Sequence, residues 1–409
     1  MLLGIHLGLL IGPSVAVIPP VDITEALTGA TVTQNDRGRS GFQLTFEVGR
    51  SGPVDMFDYG LLLNPLLKPF NRVVLTVSFS LVPEVIMDGI ITNVQLQPTN
   101  EPGASTLTVT GEDVSVLMDM KQEAVAWPAM SADNIVRLIV AKYAQYAIVP
   151  QVSPALFPSP PLPTERVPVQ TMSDYQYVQF LAARQGYVFY VEPGPVPNTN
   201  VAYWGPPKRA GLPQRALTIA AGPDSNISSV SFNYNALAPT TVSGHIQDSR
   251  TNLSVPLRAP APLRVPLSAR PAALVNRPNV RQSLPPVTRE QAEEQESLSQ
   301  TGSSAPSGRS YAHARTVPGL DAVEALARAQ ATVDASTDNV VTATGELDAV
   351  EYGAVLKARE LVGVRGVGFT YGGNYYVQSV THHIREGEYK QKFTLAREGT
   401  GALLPLVRP

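Results

Sequence analysis

Cysteine is absent from this 409-residue chain, and tryptophan (two) and histidine (five) are scarce. Without cysteine there is no disulfide, no thiolate nucleophile and no cysteine-ligated zinc or iron–sulfur centre. That suits a cytosolic protein, or one that must persist outside a cell without redox-sensitive groups. Charge is sparse too: 16% of residues are Asp, Glu, Lys or Arg, and the net charge is −3. Phosphate binding needs a basic face, so this balance argues against nucleic acid as the main partner. The chain has no Gly-x-Ser-x-Gly elbow, no His-Glu-x-x-His pair and no P-loop. It also lacks a hydrophobic run able to span a bilayer. The opening MLLGIHLGLLIGPSVAVIPP is broken at Gly4, Gly8 and Gly12, has no basic leader and no small-residue cleavage site. It reads as a buried strand rather than a signal or anchor, so no direct membrane anchoring is expected.

What the chain does have is β structure. Its length calls for two to four domains, and its 44% hydrophobic content is that of a folded protein. The 37 prolines cluster, marking linkers and loop-rich β segments rather than long helices. Within residues 1–120, Phe42, Leu44, Phe46 and Val48 alternate with polar residues, Val73, Leu75, Val77 and Phe79 repeat the spacing, and Leu107 and Val109 lie among threonines. Period-two alternation of this kind predicts a small antiparallel barrel or sandwich with one face buried.

Residues 121–210 change character. Ser131 caps a helix carrying Ile135, Leu138 and Ile139, and a Pro-rich bridge (Pro154 to Pro168) follows. Ser173 and Gln176 form a capping box for a second helix that stops at Gly186, and strands follow at Tyr187 to Val191 and Val201 to Trp204. This predicts a small α+β unit. Strands resume over residues 211–254, with Ser228 to Tyr234 expected to pair with Thr240 to Ile246. Residues 255–318 read as a Pro-rich and polar linker. Within it Thr288 to Arg309 has too little apolar surface to offset its ordering entropy and is expected to be a flexible insertion. A helix is expected over 319–338, and strands over 339–409.

Few residues invite chemistry. His382 and His383 are adjacent, but successive strand residues face opposite ways, so one ion cannot take both rings. Pairing outward from the Glu386–Gly387 turn sets Ile384 opposite Tyr389, His382 opposite Gln391, and Val380 opposite Phe393. His382 then lies on the apolar face, and His383 outside beside Lys390. The glycines of GVRGVGF (Gly363, Gly366, Gly368) have the wrong spacing for a dinucleotide loop and read as a turn. Paired acids such as Glu112 with Asp113, or Glu346 with Asp348, would suffice for glycoside hydrolysis, although scattered acids are mostly solvated surface. Tyr371, Tyr375 and Tyr376 suggest a packed wall or an interface. No catalytic, cofactor-binding or metal-binding residue is expected, and no cofactor.

The most informative pattern is an internal repeat. GNYYVQSVTHHIREGEYKQKFTLAREG (Gly373 to Gly399) reads as a long hairpin, and GIITNVQLQPTNEPGASTLTVTG (Gly89 to Gly111) as a fainter copy. Gly103 follows Gly89, and Gly387 follows Gly373, by the same 14 residues. Gly89, Gly103, Gly373 and Gly387 are therefore expected to shape turns, and Gly387→Val to impair folding or assembly. Phe42, Phe46, Val380, Phe393 and Leu395 are expected in the core.

Three segments resemble the baseplate-hub family of contractile tails: phage late control D proteins, the hub protein of T-even phages, and the N-terminal part of VgrG. TMSDYQYVQFLAARQGYVFYVEPG (Thr171 to Gly194) is similar to that family's capped helix and aromatic strand. GNYYVQSVTHHIREGEYKQKFTLAR is similar to its closing hairpin, with its Gly-x-Tyr-x-Val-x-x-Val-x-His start and Phe-x-Leu-x-Arg ending. SGFQLTFEVGR and TLTVTGEDVSVLM resemble its first barrel. The resemblance implies a mainly β (α+β) chain of two small antiparallel β-barrels flanking a smaller α+β domain, to which this chain's own composition adds a flexible Pro-rich insertion. It further implies a non-enzymatic homotrimer whose six barrels form a ring adapting a sixfold tail tube to a threefold spike. Implied partners are a separate spike protein, inner tail-tube proteins and other baseplate proteins. The implied location is cytoplasmic assembly into a virion or a tail-like particle. The chain departs from the family in ending at Pro409 just after the hairpin, so the spike is expected on another protein. It also has KAREL (Lys357 to Leu361) where a Pro-Gly turn is expected, and a long linker free to wrap a neighbouring subunit. The rival readings are a cell-wall hydrolase or glycan-binding β protein, and a hub protein of a non-contractile tail.

Overall fold

The computed structural model of the chain describes residues 6–49, 59–78, 83–100, 104–158, 160, 162, 164, 167–276, 278–283 and 321–403. The fold is mainly β within an α+β arrangement. Twelve strands form one sheet: β1 (His6–Gly12), β2 (Leu27–Asn35), β3 (Gly41–Val48), β4 (Arg72–Ser78), β5 (Pro83–Gln97), β6 (Ser105–Asp113), β7 (Gln214–Thr218), β8 (Ser229–Tyr234), β9 (Val341–Asp348), β10 (Leu361–Arg365), β11 (Gly373–Arg385) and β12 (Glu388–Arg397). The hydrogen-bonded path runs β1-β4-β5-β6-β3-β2-β11-β12-β9-β8, with β10 also on β11 and β7 on β10. Among the described residues no pairing closes either half of this path on itself; the halves join edge to edge instead. One apolar core runs beneath both, from Leu9 and Ile11 through Phe42, Leu44 and Phe46 to Val380, Phe393 and Leu395.

The expected strand pattern is present, and its alternation sets the burial. Along β3 the even-numbered residues Phe42, Leu44, Phe46 and Val48 are buried while Gln43 and Glu47 are exposed. Aromatic rings from one strand cover glycines on the next. Phe42 pairs with Gly111, where a Cβ would lie 2.4 Å from the ring, and Phe393 pairs with Gly345, where it would lie 2.5 Å away. Glycine at these sites makes room for a ring that a larger residue would displace.

Between the halves sits the mixed unit, with a separate core built on Val136, Ile139, Val178, Phe189 and Trp204. Helix α1 (Ala132–Ala141) and helix α2 (Asp174–Gln185) cover a three-stranded sheet formed by Ile148–Val152, Val188–Pro193 and Asn200–Gly205. The Ser173 side chain accepts from the Gln176 amide, and α2 ends at left-handed Gly186 (φ 68°). A buried ion pair within the first half anchors this unit through Asn200. Arg72 donates to both oxygens of Asp88 at 2.7 Å, and Asn200 donates to the same carboxylate at 3.2 Å.

Two expectations about the middle of the chain need correcting. Strand β8 does not pair with the strand over Thr240–Gln247; it pairs with β9, far away in sequence. Thr240–Gln247 instead forms a small sheet with Ser254–Ala259 and Asn279–Ser283, packed on helix α3 (Ala322–Asp338) through Val242, Leu257 and Val333. Residues 255–283 are thus partly strand, not plain linker. Proline is tolerated because these short strands lie at sheet edges. Thr288 to Arg309 lies outside the described residues.

Candidate assembly interface

The two halves of the large sheet share one strand order. The first runs β1-β4-β5-β6-β3-β2 and the second β7-β10-β11-β12-β9-β8, so each strand of the second half repeats the one six places earlier. Corresponding pairs are antiparallel in both halves except β7–β10, which is parallel where β1–β4 is antiparallel.

The repeat extends to backbone irregularities. The β5–β6 ladder shifts register between Ile91 and Asn93, and the β11–β12 ladder between Val377 and Ser379. Each shift leaves one extra residue, Thr92 or Gln378, and bends its strand. Ahead of β4 and of β10 a non-glycine residue holds a left-handed conformation, Phe70 at φ 71° and Arg359 at φ 68°, and each is hydrogen-bonded to the residue that precedes the bulge. The Phe70 amide donates to the Ile91 carbonyl and the Ile91 amide to Asn71, while the Arg359 amide donates to Val377 and the Val377 amide to Glu360, all within 2.7–2.9 Å. Arg359 therefore makes the turn at KAREL, where Pro-Gly was expected. Its guanidinium donates to the Asn35 carbonyl (3.0 and 2.8 Å) and Ser40 Oγ (2.8 Å) and lies 4.1 Å from the Tyr190 ring centre. Matching at the bulges makes Gly89 equivalent to Tyr375, not to Gly373.

Bending lets β11 serve two neighbours along one edge. The start of β11 pairs with β10, and its distal half, Ser379 to Arg385, pairs with β2. This β2–β11 seam joins the halves. Its outer face carries Thr31 Oγ1 3.4 Å from His383 Nδ1, and Thr33 Oγ1 3.3 Å from Thr381 Oγ1. Its inner face buries Val32 opposite His382. The seam is braced by charge: Asp338, at the end of α3, pairs with Arg37, Arg209 and Arg264 at 2.9–3.0 Å, and Arg209 also reaches Glu398 at 3.1 Å.

Among the described residues four stretches of this sheet have a strand on one side only: β1, β7, the distal half of β5, and β8; the last two stand where the seam strands stand in the other half. β5 pairs with β4 only up to Ile90, so Thr92 to Gln97 meets β6 on one side alone. Strand β8 has β9 on one side and no paired strand on the other. On both, side chains alternate between exposed polar residues (Asn93, Gln95, Gln97; Ser229, Ser231, Asn233) and half-buried apolar ones (Val94, Leu96; Val230, Phe232, Tyr234). Neither segment carries a charge.

The residues singled out from sequence fall as follows. Phe42, Phe46, Val380, Phe393 and Leu395 are all at most 4% exposed. Gly387 makes the β11–β12 turn at φ 74°, and Gly373 opens β11 at φ 110°. Gly89 is not at a turn: it lies within β5, where a Cβ would sit 2.3 Å from the Glu112 carbonyl. Gly103 lies outside the described residues. His382 faces Gln391 and His383 faces Lys390, in the expected register. Burial pushes His382 down to about 3, so its ring is neutral; Nδ1 lies 2.8 Å from the Tyr389 hydroxyl and 3.2 Å from Gln391 Nε2. The acids weighed for hydrolysis have structural partners. Glu112 accepts from Arg39 at 2.8 Å, and buried Asp113 accepts from the Ser40 and Ser115 amides at 2.6 and 3.0 Å. Tyr375 and Tyr376 are buried, and Phe232 stacks on Tyr371 at 4.8 Å. Among the described residues no group of three His, Asp or Glu side chains is placed to hold a metal, and no helix is long and apolar enough to cross a membrane.

No protein-family model matches the chain, and no curated protein matches its sequence. Solved structures do match its fold. The tail protein of Neisseria meningitidis MC58 aligns over 97% of this chain and 98% of its own, at 12% identity and a TM-score of 0.58. The 43 kDa tail protein of prophage MuSo2 from Shewanella oneidensis aligns over 97% and 99%, at 10% identity and 0.59. A chain of the lidded Francisella PdpA–VgrG complex aligns over all of this chain but only 55% of its own, at 9% identity and 0.55. The chain therefore has the fold of phage tail proteins and of a VgrG-complex chain, mainly β within an α+β arrangement as the resemblance to the baseplate hubs implies.

Proposed function

We propose that the protein is the structural hub of a baseplate, in a phage tail or a phage-tail-like contractile injection system. Three copies form a ring in which six similar half-sheets, each curled as a small barrel, meet a sixfold tail tube. The mixed units, three in all, meet a threefold spike carried on another protein. The observation behind this reading is the duplication itself: one strand order, one bulge and one left-handed turn, each built twice in one chain. A closed ring requires matching patches at every contact, and two equivalent modules per chain convert three subunits into six positions. The likeness in fold to tail proteins supports the same reading.

The role is mechanical rather than catalytic, within a virion or tail-like particle. Inner tube, spike and other baseplate proteins are its partners, with no nucleic acid readout and no membrane anchor. The test is the native mass of the purified chain. A trimer is expected; a stable monomer at micromolar concentration overturns the ring. Peptidoglycan zymography distinguishes the hydrolase reading, because a hub clears nothing.

A further inference from the structure

We infer that the seam inside the chain is repeated between chains: β8 of one copy pairs antiparallel with the distal half of β5 of the next. The number of copies rests on the ring reading above; the pairing and its register follow from the repeat. In the first half Val32 sits opposite Phe42, and Phe42 opposite Gly111; in the second, Phe232 sits opposite Ala343, and Ala343 opposite Leu395. Gly111 and Leu395 face the residue just before the bulge in each hairpin, Ile91 and Val377. Phe232 is thus the counterpart of Val32. Counting from the bulges likewise makes Leu96 the counterpart of His382, which Val32 faces across the seam. Phe232 of one copy therefore meets Leu96 of the next, with Tyr234 opposite Val94, Asn233 opposite Gln95 and Ser231 opposite Gln97.

Three further observations agree. The backbone parity is right: the Asn235 amide donates inward to Val340, and Asp36, one place beyond its counterpart Asn35, donates the other way, to Gln378 across the seam. In an antiparallel ladder bonded groups alternate, so the amides of Phe232 and Tyr234 point to the open edge, as those of Val32 and Gln34 point to β11. The side chains also match. Apolar residues face apolar ones on the inner side, and on the outer side Ser231–Gln97 and Asn233–Gln95 replace the polar pairs Thr31–His383 and Thr33–Thr381. Finally, exposed edges are normally blunted by charged residues or proline to prevent pairing. Here both edges are uncharged, and proline comes only at Pro98, just past the end of β5.

The absence of cysteine makes the test direct. In the full-length chain, Ser231→Cys with Gln97→Cys supplies the only two thiols. They fall on a non-hydrogen-bonded pair with Cα atoms about 4.5 Å apart, within disulfide range. Mild oxidation should give chains linked up to a covalent trimer on non-reducing gels. Ser231→Cys with Gln95→Cys, shifted along the same face, should link far less. Thr33→Cys with Thr381→Cys should close within one chain and report that the fold is intact. Linkage from the first pair and not the shifted pair supports the inference. A native trimer in which the first pair does not link, or links no better than the shifted pair, overturns the pairing and leaves the ring standing. A monomer in which the intrachain disulfide forms overturns both.

Discussion

Replacing His382 by leucine should make the fold less sensitive to acid. His382 is fully buried, and its pKa is lowered from 6.5 to about 3, by burial first and the neighbouring His383 second. Between those values the unfolded chain binds a proton that the folded chain refuses. Stability is therefore unaffected by this group above about pH 6.5 and falls as the pH drops toward 3. At pH 4.5 the loss is about 3 kcal/mol. Leucine is the natural choice, because the counterpart of His382 is Leu96, which faces Leu107. A second group acts with the opposite sign. Burial raises Asp36 from 3.8 to about 6, so its contribution is full below its unfolded value and is lost as the pH rises through 6. At pH 4.5 it offsets about 2 kcal/mol of the histidine loss. Both proteins contain Asp36, so their difference isolates the histidine. Urea unfolding of the wild type and His382→Leu at pH 7.5 and 4.5, at one protein concentration, gives that difference. The variant should gain about 3 kcal/mol on the wild type between the two pH values. Parallel pH dependence in the two proteins would refute a neutral buried imidazole.

Phe393→Ala should cost about 3–5 kcal/mol in chemical denaturation, because the ring is buried against Gly345 and collapse there is limited. Arg359→Ala should cost about 3 kcal/mol by removing a buried cation that makes three hydrogen bonds, two to the Asn35 carbonyl and one to the Ser40 hydroxyl. Arg359→Gly should cost about 1 kcal/mol less than the alanine variant, because glycine accepts the left-handed backbone; equal melting shifts would count against that strain. Gly387→Val should cost about 1–2 kcal/mol through its positive φ alone, since nothing lies within 4 Å of an added Cβ. A much larger loss would mean that the turn packs against something more.

The closing hairpin was legible because a tight turn fixes the register of everything behind it. Counting outward from Glu386–Gly387 placed His382 against Gln391 and Val380 against Phe393, as the ladder has them. The duplication was legible only in outline. Gly89 and Gly373 mark it two residues out of step, because one glycine admits a close backbone approach and the other a left-handed start. The true markers, the bulges at Thr92 and Gln378 and the turns at Phe70 and Arg359, involve residue types with no shared signature. The seam and the open edges were illegible for a related reason. Their pairs join residues far apart in sequence, so neighbourhood along the chain wrongly suggested Thr240 to Ile246 as the partner of β8. The uncharged edges were visible as sequence, but they acquire meaning only once their partners are seen to be missing.

Imaging of the purified particle by electron microscopy tests the duplication most directly. A hub built from two equivalent half-sheets per chain predicts a ring whose sheet layer shows six similar densities, while the layer of mixed units shows three. Three unequal densities in the sheet layer, or a particle with no ring, would contradict the conversion of threefold into sixfold geometry.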